Sequence, residues 1–335
     1  RRGFMKENLY KHINPSDNIL ISELSLKERK DLINLIDNTP INYKEKLNVP
    51  SNITFGLEIE FEQAGFIKTF NELKQYCNIA FYDEMSPKEY NNWTIEFEQD
   101  CSRRIENILY GGEINSPIVN NNIDFFKELK NVCNVLKNNN AQFNSKAGLH
   151  IHISKDIMKH KIKDYLKLLK TWIIFEDEFL KLYNGDKHIR RKSAETYAMK
   201  LERTLYSKIF EEYKNYKLVS QIEKKLQFPR FYDIAFYTPR VCNKTFELRA
   251  CNGTDNEIII QQYINYFFHL FKLVSNSESN DFIDNLFVLY ENDKLEVTQD
   301  TMFKLFDYMF DNIEDKASTL RLYYKNTEYS RLTNI

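Results

Sequence analysis

"FGLEIEFEQ", Phe55–Gln63, is the stretch on which the fold of this chain turns. Apolar and acidic residues alternate through it with the period of two that a β-strand requires. As a strand it sends Leu57, Ile59 and Phe61 to one face of a sheet and Glu58, Glu60 and Glu62 to the other. Three carboxylates in a row repel one another. A solvated face would tolerate them, and so would a face that holds a cation.

The same alternation recurs along the chain. "WTIEFEQD" (Trp93–Asp100) sets Ile95 and Phe97 against Glu96, Glu98 and Asp100, and "GGEIN" (Gly111–Asn115) brings Glu113 just ahead of a Ser-Pro turn. "GLHIHIS" (Gly148–Ser154) opposes Leu149, Ile151 and Ile153 to His150 and His152. "TFELRA" (Thr245–Ala250) opposes Phe246 and Leu248 to Glu247 and Arg249. Each has an ordinary explanation when taken alone. A Glu-x-Glu strand is usually a wet face, and a Glu-x-Arg pair a surface ion pair of little energetic worth. The His-x-His pair says more, because both imidazoles project the same way about 7 Å apart.

If these strands share a sheet, one face collects Glu58, Glu60, Glu113, His150, His152, Glu247 and Arg249. Oxygen-rich ligands of this kind suit Mg²⁺ or Mn²⁺. A structural zinc site would draw on more Cys and His. An arginine beside such a site has a natural partner in phosphate, which it grips with parallel hydrogen bonds. Neither a Walker-type loop nor a dinucleotide-binding glycine motif is present in the sequence.

The bulk properties are those of a globular protein. The chain has 335 residues, 42% of them hydrophobic and 28% charged, with a formal net charge of -1. That balance provides no electrostatic basis for nucleic acid or an acidic membrane as partner. The cysteines, Cys77, Cys101, Cys133, Cys242 and Cys251, form no C-x-x-C pair, and a reducing cytoplasm is the expectation. The most apolar run, Ile258–Val274, is broken by Gln261, Gln262, Asn265, His269 and Lys272, so it reads as a buried helix and not a membrane span. The opening "RRGFMKEN" has no apolar segment behind it of the kind a secretory signal carries.

Candidate strands are 53–62, 93–99, 111–116, 148–154, 231–238 and 244–251, and candidate helices are 66–77, 123–138, 157–183, 194–213 and 256–275. Residues 1–50 form a helical extension, with Ser22 or Ser25 as the N-cap of "SELSLKERKDLINLID". Residues 51–279 form the main domain, and 280–335 a second helical extension that includes Thr298–Ile313. Strands and helices are neither paired as hairpins nor interleaved as βαβ units. This predicts an α+β fold, an antiparallel or mixed sheet with helices on one face.

The order of the motifs resembles the amidoligase family, carboxylate–amine ligases with a glutamine-synthetase-like catalytic fold. The resemblance runs through Gly56, Glu58 and Glu60; Trp93, Asp100 and Ser102; Glu113, Ser116 and Pro117. It continues through Gly148, His150 and His152; Thr245, Glu247 and Arg249; and Gly253 with Thr254. It covers roughly residues 53–275 and implies a glutamine-synthetase-like sheet. The implied reaction joins a carboxylate-bearing and an amine-bearing substrate with ATP and Mg²⁺.

By that likeness Glu58, Glu60, Glu113, His150 and Glu247 are metal ligands, His152 orients the site or contacts nucleotide, and Arg249 and Ser116 contact nucleotide. Arg249 would bind phosphate or a substrate carboxylate. Arg190 or Arg191 would supply the arginine that follows the long central helix in the family. Asp100 and Glu98 are candidate bases for the attacking amine, although Asp100 reads equally as a turn cap beside Ser102. Two positions depart from the family pattern: Ala235, where Asn is usual, and Cys101, where Gly is common. An inactive relative, a phosphotransferase on the same fold and a His-x-His metallohydrolase are the competing readings.

Overall fold

The structure is a computed structural model. It describes residue 14 and residues 16–38, 41–82, 91–144, 146–158, 161–183, 192, 198–201, 203–225, 234–235 and 244–326.

The opening stretch forms the long strand β1 (Phe55–Gly65) at the centre of the sheet. The others are β2 (Ile79–Tyr82), β3 (Trp93–Glu96), β4 (Arg103–Ile105), β5 (Ile108–Asn115), β6 (Gly148–Ser154), β7 (Ile234–Ala235) and β8 (Thr245–Asn252). Their order is β2-β3-β5-β1-β6-β8-β7, with β4 paired to β5. The β2–β3 pair is parallel and every other pair antiparallel, so the sheet is mixed. The fold is therefore α+β.

The helices are α1 (Leu26–Asn38), α2 (Phe66–Leu73), α3 (Ile123–Asn138), α4 (Ile162–Leu182), α5 (Arg203–Glu212) and α6 (Val219–Lys225). They continue with α7 (Glu257–Ser275), α8 (Asn280–Glu291), α9 (Gln299–Met309) and α10 (Ile313–Asn326). Leu57, Ile59, Phe61, Ile151, Ile153, Phe246 and Leu248 are buried on the helix side of the sheet. Phe55 meets Phe125 and Phe126 of α3 and Phe268 of α7, and Phe246 stacks on Phe271 of α7. Trp93 is likewise core, stacked on Phe125 with its Nε1 donating to Glu128. The run Ile258–Val274 lies in α7, buried nearly throughout. No helix among the described residues is long and apolar enough to cross a membrane.

Polar side chains set the helix ends. Asn122 accepts from the Phe125 N–H to start α3, and Asn256 accepts from Ile258 and Ile259 to start α7. Ser25, not Ser22, caps α1, exchanging hydrogen bonds with Glu28. The stretch expected as one helix over Thr298–Ile313 ends at Met309. Asn312 then accepts from the Asp315 N–H and opens α10. The helix expected over 157–183 begins only at Ile162, because Ser154 caps a short 3-10 turn at Lys155–Ile157.

Near the chain ends, the N–H groups of Ile21 and Ser22 donate to Asp307 of α9. Lys316 of α10 donates to Asp307, Asn18 and the Ile19 carbonyl.

Candidate active site

The register of the sheet stacks polar residues in cross-strand rows on the face turned away from the core. Thr94, Asn115, Glu58 and His150 face one another across β3, β5, β1 and β6. One step along, Glu96, Glu113 and Glu60 are directly opposed on three neighbouring strands. On the other side, His152 faces Gly56 and Glu247. Directly opposed side chains start with Cβ atoms about 4.5–5.5 Å apart, so like charges in such a row destabilise the sheet unless something offsets them.

Two irregularities aim these rows. On β8 an extra residue intervenes between the Ile151–Leu248 and Leu149–Cys251 pairs. Leu248 and Cys251 both stay in the core, and Arg249 falls within the bulge. On β5, Gly111 adopts φ 76°, and a Cβ there would lie 2.4 Å from the Cys101 carbonyl oxygen. Glycine alone lets the 98–102 turn press against the strand that carries Glu113.

Glu58 is the hub of the site. Its Oε2 lies 2.8 Å from His150 Nδ1 and its Oε1 3.0 Å from His152 Nε2. The other nitrogen of His152 meets Thr245 Oγ1 at 3.3 Å. Burial alone would raise the Glu58 carboxyl, but His152 and His150 together carry it well below the usual carboxylate range. Burial pulls His152 down, and the Glu58 charge outweighs it, so His152 is raised above an ordinary imidazole. Arg249 donates to Glu247 Oε1. Asn115 donates to Glu96 Oε1 at 2.6 Å, and Glu60 Oε2 accepts from the Gly148 N–H at 2.6 Å.

Two groups of ligand atoms, each within a span of 4.8 Å, share Glu58: Glu58, Glu113 and His150, and Glu58, His152 and Glu247. His150 Nε2 is buried without a hydrogen-bond partner, and Glu60 Oε1 lies 3.6 Å from it, beyond hydrogen-bond reach. A buried nitrogen of this kind among carboxylate oxygens needs a partner that accepts electron pairs. The residues present fit a divalent cation.

The structure thus brings Glu58, Glu60, Glu113, His150, His152, Glu247 and Arg249 onto one face. Ser116 lies beside them, but its hydroxyl accepts from the Leu57 N–H and donates to the Pro117 carbonyl, both at 2.9 Å. Asp100 sits in the 98–102 turn, whose side-chain bonds come from Glu98 and Ser102. Burial, with Glu60, Asp100 and Glu96 nearby, raises the Glu98 carboxyl against the pull of the Asp100 N–H. Arg190 and Arg191 lie outside the described residues. Sequence reasoning did not assign Asn115 and Glu96 to the site. Their signal was their spacing, two residues from Glu113 and from Glu98 on the same alternating face.

Fold and site together define a class: an α+β protein that concentrates carboxylates and imidazoles on one face of a largely antiparallel sheet. The model of a family described as "Putative amidoligase enzyme" matches residues 51–270, a span that includes every strand among the described residues. The chain belongs to this amidoligase family, which points to an enzyme that joins a carboxylate and an amine in an amide bond. No curated protein matches the chain.

Proposed function

We propose that the protein is an ATP- and Mg²⁺-dependent carboxylate–amine ligase that forms a peptide or isopeptide bond through an acyl phosphate. In this reading a carboxylate oxygen of the first substrate takes the γ-phosphoryl group of ATP and ADP leaves. The amine nitrogen of the second substrate then attacks the acyl carbon, phosphate leaves, and the amine gives up a proton. The reading is supported above all by Glu58, whose two oxygens each engage an imidazole and which belongs to both ligand groups.

Glu58, Glu60, Glu113, His150 and Glu247 would hold Mg²⁺ or Mn²⁺, and His152 is poised to do so beside Glu58 and Glu247. When bound, the cations supply positive charge that neutralises the polyphosphate and the transferring group. The protein's own residues do the positioning. Arg249, anchored by Glu247, directs a guanidinium at phosphate oxygens or the substrate carboxylate. Glu98 would serve as the base, because burial raises its carboxyl toward the range suited to taking an ammonium proton. A rigid sheet is a suitable base for chemistry that consists mainly of alignment.

The test is ADP release by the purified chain. It is expected only when Mg²⁺ or Mn²⁺, a carboxylate substrate and an amine are all present, with the amide found by mass spectrometry. Stoichiometric zinc with no ATP turnover would overturn the reading in favour of a metallohydrolase. ADP release without an amine, and with a stable phosphorylated product, would mean a phosphotransferase.

A further inference from the structure

The third glutamate of the opening stretch faces a different target. Past Phe61 strand β1 leaves its register with β5, regaining it where Gly65 meets Tyr110. Within this bulge Gln63 adopts φ 66°, and Glu62 pairs through its backbone with Gln142, N to O 2.8 Å in both directions. The Glu62 carboxylate reaches the chain just ahead of β6. Its Oε1 accepts from the N–H groups of Lys146 at 3.3 Å and Ala147 at 3.4 Å. Glu60 Oε2 accepts from the next N–H, that of Gly148, at 2.6 Å. Two carboxylates of one strand therefore hold three consecutive amides at the entry to another.

We infer that Glu62 is a positioning residue for the candidate cation site, fixing the start of β6 so that Glu60 and His150 present their ligand atoms together. The inference rests on the reading of that face as a cation site. Gly148, His150 and His152 alternate along β6, so whatever fixes Gly148 also fixes the imidazoles two and four residues on. Glu60 has one oxygen committed to Gly148, which leaves Oε1 as the atom turned toward His150 Nε2. Without the Glu62 acceptor, the Lys146 and Ala147 amides lose their side-chain partner. The Gly148 amide can then shift, and the Glu60 carboxylate turns with it. Carboxylates that orient ligands in this way act through hydrogen bonds strengthened by charge.

The experiment is Mn²⁺ binding to metal-free protein, read by electron paramagnetic resonance, alongside thermal unfolding. Glu62→Leu should weaken Mn²⁺ binding about 10–100-fold. Glu62→Gln keeps an acceptor oxygen and loses the charge, so it should fall between Glu62→Leu and wild type. If Glu62→Leu does not fold, the loss in Glu62→Gln carries the test. Asn122→Ala, which removes the α3 cap, should lower Tm and leave Mn²⁺ affinity intact. Wild-type affinity in both Glu62 variants overturns the inference alone, as does an equal loss in Asn122→Ala. Failure of the wild type to bind Mn²⁺ overturns the cation site itself and this inference with it.

Discussion

Glu58 and His150 meet across the β1–β6 pair, Oε2 to Nδ1 2.8 Å, in the row where strand register places them directly opposite. The same carboxylate holds His152 through its other oxygen. One side chain therefore orients both imidazoles, and charge and geometry are coupled through it.

Replacing that charge tests the site directly. Glu58→Gln keeps the shape but removes the anion that holds both imidazoles. ATP-dependent turnover is expected to fall by at least about 10²-fold, with the far-ultraviolet circular dichroism spectrum unchanged. Glu247→Gln should behave alike, since Glu247 belongs to the second ligand group and anchors Arg249. Undiminished turnover in both variants would remove the site assignment.

The pH dependence of stability has a definite sign. The Glu58 carboxyl lies well below its ordinary 4.5 in the folded chain, so its contribution is present above about pH 4.5 and is lost as pH falls through the folded value. His152 lies above its ordinary 6.5, so its contribution is present below pH 6.5 and is lost as pH rises through the folded value. Denaturant unfolding of chelator-treated protein should thus show this cluster contributing most between about pH 4.5 and 6.5. Glu58→Gln should flatten both limbs.

Gly111→Ala is expected to destabilise the fold by about 2 kcal/mol or more, because φ 76° is unfavourable for alanine and the Cβ meets the Cys101 carbonyl. A shifted midpoint with an unchanged slope in urea unfolding would confirm it. A change within experimental error would mean that the 98–102 turn moves freely.

Lys155 and Glu223 form a buried ion pair, Nζ to Oε1 2.6 Å, and the Tyr165 hydroxyl donates to the same oxygen. Lys155→Met alone strands the Glu223 charge and should cost about 3–5 kcal/mol. The double variant Lys155→Met/Glu223→Leu should recover most of that. A double-mutant cycle read by denaturant midpoint decides it, and independent effects would show that the pair is not coupled.

Thiol chemistry at Cys77, Cys101 and Cys133 should be silent. Burial, with Glu128 nearby, pushes the Cys77 thiol up to about 12, and burial raises Cys101 and Cys133 as well. At pH 8 these thiols should react with Ellman's reagent only on unfolding. Cys101→Ser should retain ATP turnover, and loss of turnover with the fold intact would assign Cys101 a catalytic role.

Much of the fold was legible in the alternation itself. Gly148–Ser154 forms a strand over the expected residues, as Ile123–Asn138 forms a helix, because each carries an unbroken period bounded by a turn or a cap. Strands β2 and β4 were not legible. The first has four residues with a half-exposed face, and the second is an exposed arm of a hairpin whose turn residues Glu106 and Asn107 have φ of 47° and 64°. Such segments depend on the partner strand more than on their own pattern.

The sequence by itself determined which residues share a face, since the pleat of a strand dictates alternation whatever the partner. That placed Glu58 with Glu60, His150 with His152, and Glu247 with Arg249. Only the tertiary structure decided which of them meet, because pairing depends on register, and register depends on bulges at Phe61–Gly65 and Leu149–Ile151 that no local pattern announces. It also separated the three glutamates of the opening stretch. Glu58 joins the imidazoles and Glu60 divides its oxygens between Gly148 and the His150 side, while Glu62, turned aside by the bulge, holds the backbone that leads into β6.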